Sequence, residues 1–290
     1  MNKKTTLGHI AAAICVAIWG TTFVSTKVLL QSLNSLEILL CRFVLGYIAL
    51  CILCPRPQKP ESLLKELKMM VAGLCGITLY YLLSNIALEQ APAANVSIIL
   101  SMSPLFTVLL LKFLKKGGKS GIGFYIGFVL AVGGICVICI RDSGEMGFIS
   151  ALLCLAAAAS WAIYTVLTQD ISQDGSLLKS TRRTAFYGLL LTFFCCLPKL
   201  GSMDLSRLCN PSISLNLGYL GCIAFSGCMV IWNWSVKTIG AAKAGVYSYA
   251  TPVVTAASAA LILDEAITVE LIVGILLVCA GLVFSQRSCP

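Results

Sequence analysis

The feature that most constrains the fold of this chain is a series of long apolar segments separated by short polar links. A bilayer core about 30 Å thick requires roughly 20 apolar residues in each helix that spans it. Segments of this kind lie at residues 7–30, 35–54, 68–88, 93–113, 122–140, 147–168, 184–200, 215–236, 243–263 and 268–286. Only 11% of the residues are charged, whereas soluble domains carry about 25%. The sequence therefore predicts an all-α integral membrane protein with ten transmembrane helices.

A membrane β-barrel is the other architecture that can span a bilayer, and the sequence argues against it. Barrel strands alternate apolar and polar residues over about ten positions, but runs such as IGFVLAVGGICVICI do not alternate. Helices also satisfy their own backbone hydrogen bonds, as lipid requires. The first segment resembles a signal peptide, yet it continues to Lys27 without a small-residue cleavage site. We therefore interpret it as the first transmembrane helix.

The positive charges indicate an orientation in the membrane rather than an acidic partner. The net charge of +9 is spread over short links, so we expect no nucleic-acid partner. Most of the 21 Lys and Arg residues fall in alternate links, and basic links lie preferentially in the cytosol. We predict a multi-pass protein of the cell membrane with both termini cytosolic. Its expected partners are the lipid bilayer and a small-molecule substrate, and its expected state is a monomer or weak homodimer.

The 15 cysteines and the single histidine do not indicate redox, metal or catalytic chemistry. Nearly all the cysteines fall within the apolar segments, where they act as small apolar residues. We expect no disulfide framework, no metal site and no cofactor. His9 has no second histidine and no mid-span pair of acids to act with. A membrane-embedded enzyme, or a scaffold that does not transport, remains the alternative to a transporter.

An internal repeat relates the two halves of the chain at an offset of 148 residues. The stretch NIALEQAPAANVSIILSMSPLFT in the first half aligns with NWSVKTIGAAKAGVYSYATPVVT in the second. Asn85 corresponds to Asn233 and Pro104 to Pro252 without a gap. Both prolines lie about midway along a predicted span, where each removes a backbone hydrogen bond. Such paired interruptions indicate a transporter's binding site near the midplane, although a kink that only shapes the fold is the alternative.

Charges in the links between the segments change sign at the same offset. Glu89 corresponds to Lys237, and Lys116 corresponds to Asp264. A unit of five spans reverses its direction when it is duplicated, so equivalent links lie on opposite sides of the membrane and should differ in charge. We therefore predict two inverted five-helix repeats that form one transmembrane unit, at residues 1–142 and 143–290.

Several of these motifs resemble a known family of transporters. WGTTFVSTK, the Arg of CRF, ALEQAPAANVSIILSMSPLFTVLL and SYATPVVTAASAALILDEAITVELIVGILLVCAGLVF are similar to signatures of the drug/metabolite transporter superfamily, and within it of the EamA-type ten-span carriers. The resemblance implies alternating access around a cavity between two inverted repeats, with export of small metabolites such as amino acids. One departure is KKGG in the first half, where many relatives repeat the acidic residue of Asp264 and Glu265.

Polar residues inside the predicted spans are the first candidates for a binding site. Asn85 and Asn233 could contact substrate or a gate, or they could only join helices by hydrogen bonds. Arg42 lies about two turns inside its span, where it could pair with a substrate carboxylate or extend toward lipid headgroups. We expect Lys27 to be an anchor that extends to the headgroups.

Aromatic residues complete the candidates, since they either line a cavity or form belts at the membrane surface. Trp19 and Trp161 lie in mid-span, which favours the cavity. The full set of predicted cavity residues is Trp19, Arg42, Tyr81, Asn85, Ser101, Pro104, Trp161, Tyr164, Asn233, Tyr247, Tyr249 and Pro252, with Glu89 and Glu265 as gate candidates.

The positions of the acidic residues bear on the driving force. Proton-coupled carriers commonly place Asp, Glu or His within a span. Here the acids cluster at span ends, so we predict a facilitator that follows the substrate gradient. The alternative is that Glu265 or Glu89 takes up and releases a proton at a gate.

Overall fold

The computed structural model describes residues 3–56, 62–114, 121–141, 147–172, 177–203, 205–240, 244–245 and 247–287. In this part of the chain every regular element is helical, which confirms the predicted all-α class. The α-helices are α1 Lys3–Leu30, α2 Ser35–Leu53, α3 Leu63–Gly73, α4 Tyr80–Gln90, α5 Ala93–Leu100, α6 Ser103–Phe113, α7 Ile122–Arg141, α8 Phe148–Ser172, α9 Leu177–Cys196, α10 Pro211–Gly218, α11 Cys228–Ile239, α12 Thr251–Ile262 and α13 Val269–Arg287.

Two short π-helices and three 3₁₀-helices connect some of these elements. The π-helix Leu74–Leu79 joins α3 to α4, and the π-helix Tyr219–Gly227 joins α10 to α11, so each pair forms one long span. The 3₁₀-helices are Leu197–Ser202, Leu205–Cys209 and Ser248–Ala250.

Seven continuous helical stretches of the described residues are long and apolar enough to cross a membrane. Three further apolar helices, Ile122–Ile138, Ser248–Ile262 and Val269–Ser285, are shorter. They coincide with the fifth, ninth and tenth predicted segments. The helices of the first, third, seventh and eighth predicted segments begin four to six residues before their predicted starts, because polar first turns such as LLKEL continue the helix. Multiple spans are thus present, while the count of ten stays a prediction.

Both halves interrupt a span just before the repeated proline. Helix α5 ends at Leu100 and α6 begins at Ser103, so Pro104 lies in the first turn of α6. The 3₁₀-helix Ser248–Ala250 precedes α12 in the same way, with Pro252 in its first turn. Proline is tolerated there because the amides of a first turn have no partner within the helix. The breaks therefore follow from the prolines that the sequence analysis singled out.

Helices of each half pack against helices of the other half. Helix α1, from the first half, packs against α11 and α12 of the second half, whereas α8, from the second half, packs against α4 and α6 of the first. Helices α7 and α13 pack along each other, and a Cβ on Gly127 would collide with the Gly281 carbonyl oxygen. This packing forms two groups of helices that face each other. One group consists of α3–α6 and α8, and the other consists of α1, α11 and α12.

The bundle has two distinguishable ends. One carries the end of α1 and the start of α2, and we call it the Lys27 end. The other carries the start of α1 and the end of α13, and we call it the terminal end. At the terminal end, the Arg183 Nε atom donates to the Glu66 carboxylate at 2.7 Å and joins α9 to α3.

Candidate functional site

A cavity of about 210 Å³ lies at the centre of the bundle, between the two groups of helices. Its walls combine aromatic rings with small hydroxyl side chains and a single charged group, Arg42, among the described residues. The lining side chains are Trp19, Thr22, Phe23, Thr26, Arg42, Tyr80, Tyr81, Ser84, Asn85, Leu88, Ser97, Leu100, Ser101, Ser103, Pro104, Trp161, Ala224, Phe225, Met229, Ser248, Tyr249 and Thr251. An apolar cavity with a few fixed polar groups is the usual form of a small-molecule site.

The π-helix Tyr219–Gly227 shapes one wall of the cavity. Trp19 Nε1 donates to the Ala224 carbonyl oxygen at 3.0 Å, which ties α1 to this π-helix. The Trp19 ring also lies 4.9 Å from that of Trp232. A π-helix shifts hydrogen bonds from i→i−4 to i→i−5, and π-bulges are frequent at functional sites. The bond fixes the orientation of the indole, which lines the cavity.

Arg42 is the one cavity residue with a fixed charge in the described part of the chain. Its side chain is only 4% exposed, and its Cζ atom lies 4.3 Å from the centre of the Tyr81 ring. The Nε atom is buried and has no hydrogen-bond partner. No described carboxylate lies within 4.0 Å of the guanidinium. The guanidinium therefore faces the interior of the bundle rather than lipid headgroups.

A chain of aromatic rings continues from Arg42 to the opposite wall. Tyr80 stands edge-on to Tyr81 at 4.8 Å and lies 4.7 Å from Trp161. Behind Trp161, at 4.9 Å, is Tyr164, which does not reach the cavity and instead packs against Gly76. Tyr164 is therefore not among the lining residues of this cavity, because the π-helix Leu74–Leu79 brings Gly76 against its ring.

The repeat-related asparagines have different surroundings. Asn85 is 2% exposed, lines the cavity and donates to the Ser35 carbonyl oxygen at the long distance of 3.5 Å. Asn233 does not line the cavity, and its Nδ2 atom is buried without a partner. Tyr247 is also outside the cavity and pairs with His9 at 3.0 Å, while Pro252 is buried in α12. The structure therefore places Asn233, Tyr247 and Pro252 outside the lining of this cavity.

At the Lys27 end, one carboxylate joins the two groups of helices. Glu265 accepts hydrogen bonds from the backbone amides of Ala93 at 2.8 Å and Ala94 at 3.3 Å, at the start of α5. Lys27 lies 3.1 Å from the same carboxylate and donates to the Ala91 carbonyl oxygen at 2.7 Å. We call this arrangement the Glu265 clamp. Anions are stabilised at helix N-termini by unpaired amides and by the helix dipole, so the carboxylate has three favourable contacts.

Lys27 is therefore not the headgroup anchor that we expected. Its side chain is 27% exposed and that of Glu265 is 15% exposed, so water screens this pair only partly. Glu89, the other gate candidate, is exposed and accepts a hydrogen bond from Ser35 at 2.5 Å. It stands outside the clamp.

The backbone before Glu265 explains how this side chain reaches α5. Helix α12 ends at Ile262, and Asp264 then adopts a positive φ of 55°. Aspartate is among the few residues that tolerate this left-handed conformation. The turn is held by a hydrogen bond from the Glu265 amide to the Ala259 carbonyl oxygen at 3.3 Å. Because the chain turns back at Asp264, the Glu265 side chain reaches the start of α5.

A second cavity of about 350 Å³ adjoins the first and shares with it Ser103, Pro104, Trp161 and Tyr249. Beyond these residues it is lined by side chains nearer the terminal end of α6, α8 and α13, among them Leu111, Thr165 and Ser285. The two cavities together extend from the centre of the bundle toward the terminal end.

The structure thus brings together eight of the predicted cavity residues, Trp19, Arg42, Tyr81, Asn85, Ser101, Pro104, Trp161 and Tyr249. The sequence analysis missed neighbours of these residues on the same helix faces. Thr22, Phe23 and Thr26 follow Trp19 at spacings of three, four and seven, and Ser84 and Leu88 follow Tyr81 in the same way. Residues at these spacings share one face of a helix, so each candidate could have predicted the rest of its face.

The cysteines and acids of the described residues form no recognisable metal site. No group of three His, Cys, Asp or Glu side chains is close enough to hold an ion there. Cysteines in that part of the chain, such as Cys15 and Cys75, are not joined in disulfides.

Comparisons with known proteins decide the family. The sequence matches the EamA-like transporter family twice, over residues 6–140 and over residues 148–286. The chain belongs to this family. The predicted resemblance is confirmed, and the family together with the apolar helices identifies a multi-pass membrane transporter.

Relatives of this EamA protein match it almost end to end. An uncharacterized transporter of Archaeoglobus fulgidus is 28% identical, with 91% of each chain covered. A probable amino-acid metabolite efflux pump of Escherichia coli is 27% identical over 94% of this chain and 92% of that protein. A probable terminal-alkyne amino-acid exporter of Streptantibioticus cattleyicolor is 24% identical over 96% and 92%. One crystal structure shares the fold, with a TM-score of 0.66 at 19% identity, covering 98% of this chain and 96% of that one.

Proposed function

We propose that this EamA-family protein exports small organic solutes such as amino-acid metabolites across the cell membrane. The observation that carries the proposal is the central cavity, which lies where both groups of helices and the proline-associated break of α5 and α6 meet. Broken helices beside a central cavity are typical of transporters that alternate between two openings. Two relatives named for amino-acid efflux or export support the solute class. No enzymatic step is part of the proposal.

The two halves would act as inverted repeats, residues 1–142 and 143–290. Support comes from the reciprocal packing of α1 and α8 and from the positions of the irregular segments. The π-helix Leu74–Leu79 falls, at the offset of 148, on the second π-helix, Tyr219–Gly227. One chain contains the whole cavity, so we propose that it works as a monomer or weak homodimer.

Transport would proceed by rocking of the two groups of helices. The Glu265 clamp joins the groups at the Lys27 end and would close the cavity there, while the second cavity extends toward the terminal end. With both termini in the cytosol, as the basic links favour, this state would receive substrate from inside the cell. Release outside requires the clamp to open.

The protein would act as a facilitator. The described residues that line the central cavity include no Asp, Glu or His, so no lining group among them is suited to carry a proton across with the substrate. Export would then follow from a larger substrate concentration inside the cell.

Counterflow in proteoliposomes tests this proposal. Vesicles loaded with an unlabelled amino acid should take up the labelled form without a pH difference, and an imposed proton gradient should not drive accumulation above equilibrium. Empty vesicles provide the control. No counterflow of any solute in a broad panel would favour the enzyme or scaffold alternative. Accumulation that an ionophore abolishes, and that is lost in Glu265→Gln, would replace the facilitator by a proton-coupled carrier.

A further inference from the structure

We propose that the central cavity selects organic solutes that carry one carboxylate, which Arg42 binds while the aromatic rings enclose the apolar part. The inference rests on the proposed transport function and specifies the class of solute. It is argued from the surroundings of Arg42 and from the composition of the cavity wall.

Arg42 is buried without a counter-ion in the described structure. Removing a guanidinium from water is unfavourable unless its charge and its N–H groups are matched by the surroundings. Contact with the Tyr81 ring offers partial compensation through a cation–π interaction. The buried Nε atom, however, has no partner. A guanidinium pairs most favourably with a carboxylate, which accepts two parallel hydrogen bonds in one plane.

Arg42 is also accessible to a solute in the cavity. It lines the cavity together with Tyr81, Ser84 and Asn85 on α4. The Ser84 hydroxyl already donates to the Tyr81 carbonyl oxygen at 3.1 Å, which leaves the Asn85 side-chain amide as a donor beside Arg42. A carboxylate at Arg42 would therefore lie beside an amide donor, that of Asn85, which has only a long hydrogen bond at present.

The rest of the wall restricts the solute to a single negative charge. Arg42 is the only cation among the described lining residues, so a second carboxylate would lack a partner. Cationic solutes would be repelled by Arg42 and would find no lining acid to offset that repulsion. An α-amino group is tolerated beside the carboxylate, because such a solute has no net charge and keeps the carboxylate that pairs with Arg42.

A set of three ligands with the same ring and chain tests this selection. Phenylacetate, phenylacetamide and 2-phenylethylamine present an anionic, a neutral and a cationic head group. We expect only phenylacetate, at millimolar concentration, to raise the melting temperature of the purified full-length protein in detergent. Arg42→Gln should weaken this binding by about tenfold to a hundredfold, the range for one lost charged hydrogen-bond pair.

Two further variants separate binding from folding. Arg42→Lys keeps the charge without the planar pair of donors, so it should retain the preference for the acid at reduced affinity. Arg207→Gln removes an arginine that donates to the Ser32 carbonyl oxygen outside the cavity, and should leave binding unchanged. If Arg42→Gln does not fold, the inference is tested by the melting temperatures of the wild type and of Arg42→Lys with the three ligands.

The inference is overturned if the amide or the amine stabilises the wild type as well as the acid does. It is also overturned if the acid does not bind at all, or if Arg42→Gln keeps the full preference. Flux of neutral or cationic solutes in the counterflow assay, without preference for acids, would contradict this inference but leave the proposed function standing. Binding of the acid without flux of any solute would contradict the proposed function alone.

Discussion

The two ends of the central cavity differ at positions that the internal repeat relates. At the Lys27 end, the Glu265 clamp joins one charged pair to the start of α5. At the offset of 148, the terminal end has Gly175 in place of Lys27 and Gly117 in place of Glu265. Glycine has no side chain, so the equivalent charged pair cannot form there. Both glycines lie outside the described residues, and the comparison at that end rests on the sequence.

In the proposed mechanism of two inverted repeats, departures from the repeat would set the preference between the two conformations. Two repeats with identical clamps would stabilise both closed ends equally. A clamp at one end only lowers the free energy of the state that is closed at the Lys27 end. Hydrogen bonds to charged groups contribute about 1.5–3 kcal/mol each, which is enough to shift a two-state equilibrium by tenfold or more.

The largest expected effect concerns which end faces outside. In a cysteine-free background, an impermeant thiol reagent added to intact cells should modify a cysteine at Gly144, in the link on the side of the Lys27 end. A cysteine at Gly118, in the link on the side of the terminal end, should be modified only after permeabilisation. The effect is all-or-none because the bilayer excludes the reagent. The reverse pattern would place the clamp in the cytosol and contradict export through it.

Removal of the clamp charge should open the Lys27 end. With Ser97→Cys on the cavity wall as reporter, Glu265→Gln should raise the labelling rate from outside by at least about tenfold, since one charged contact of more than about 1.4 kcal/mol is lost. Glu89→Gln is the matched control, because Glu89 is exposed and outside the clamp. Equal labelling of Glu265→Gln and the wild type would show that the clamp does not hold this end closed.

A charge exchange tests whether the clamp is more than an ion pair. The double variant Lys27→Glu and Glu265→Lys restores opposite charges but brings a cation to the start of α5. Cations are unfavourable at that end of a helix, so the double variant should label as fast as Glu265→Gln. Recovery of the wild-type rate would show that the ion pair alone matters and that the Ala93 and Ala94 amides contribute little.

The sequence predicts the spans and breaks far better than it predicts the clamp. Apolar segments and prolines act locally, so Pro104 and Pro252 could be placed correctly. The π-helices have no comparable local signal, and they decide that Tyr164 packs on Gly76 rather than facing the cavity. The partner of Lys27 depends on how α12 ends and turns back at Asp264, which only the tertiary structure shows. The internal repeat predicts equivalent positions for Asn85 and Asn233, but only Asn85 of the two lines the cavity.

The smallest expected effect comes from building a second clamp at the terminal end. Gly117→Glu together with Gly175→Lys introduces a charged pair at the repeat-equivalent positions. Exposed ion pairs contribute about 0.2–1 kcal/mol, so closure of this end should be favoured and counterflow slowed by up to about fivefold.

The matched control is Gly117→Lys with Gly175→Lys, which changes the same glycines but provides no opposite charge. If the control slows counterflow as much as the charged pair does, the loss of glycine is responsible, because both variants restrict the backbone equally. If only the charged pair slows it, and high salt restores the rate, the effect is electrostatic, since salt screens exposed charges. That result would establish that a clamp can act at either end and that the wild-type protein carries it at one by virtue of its sequence.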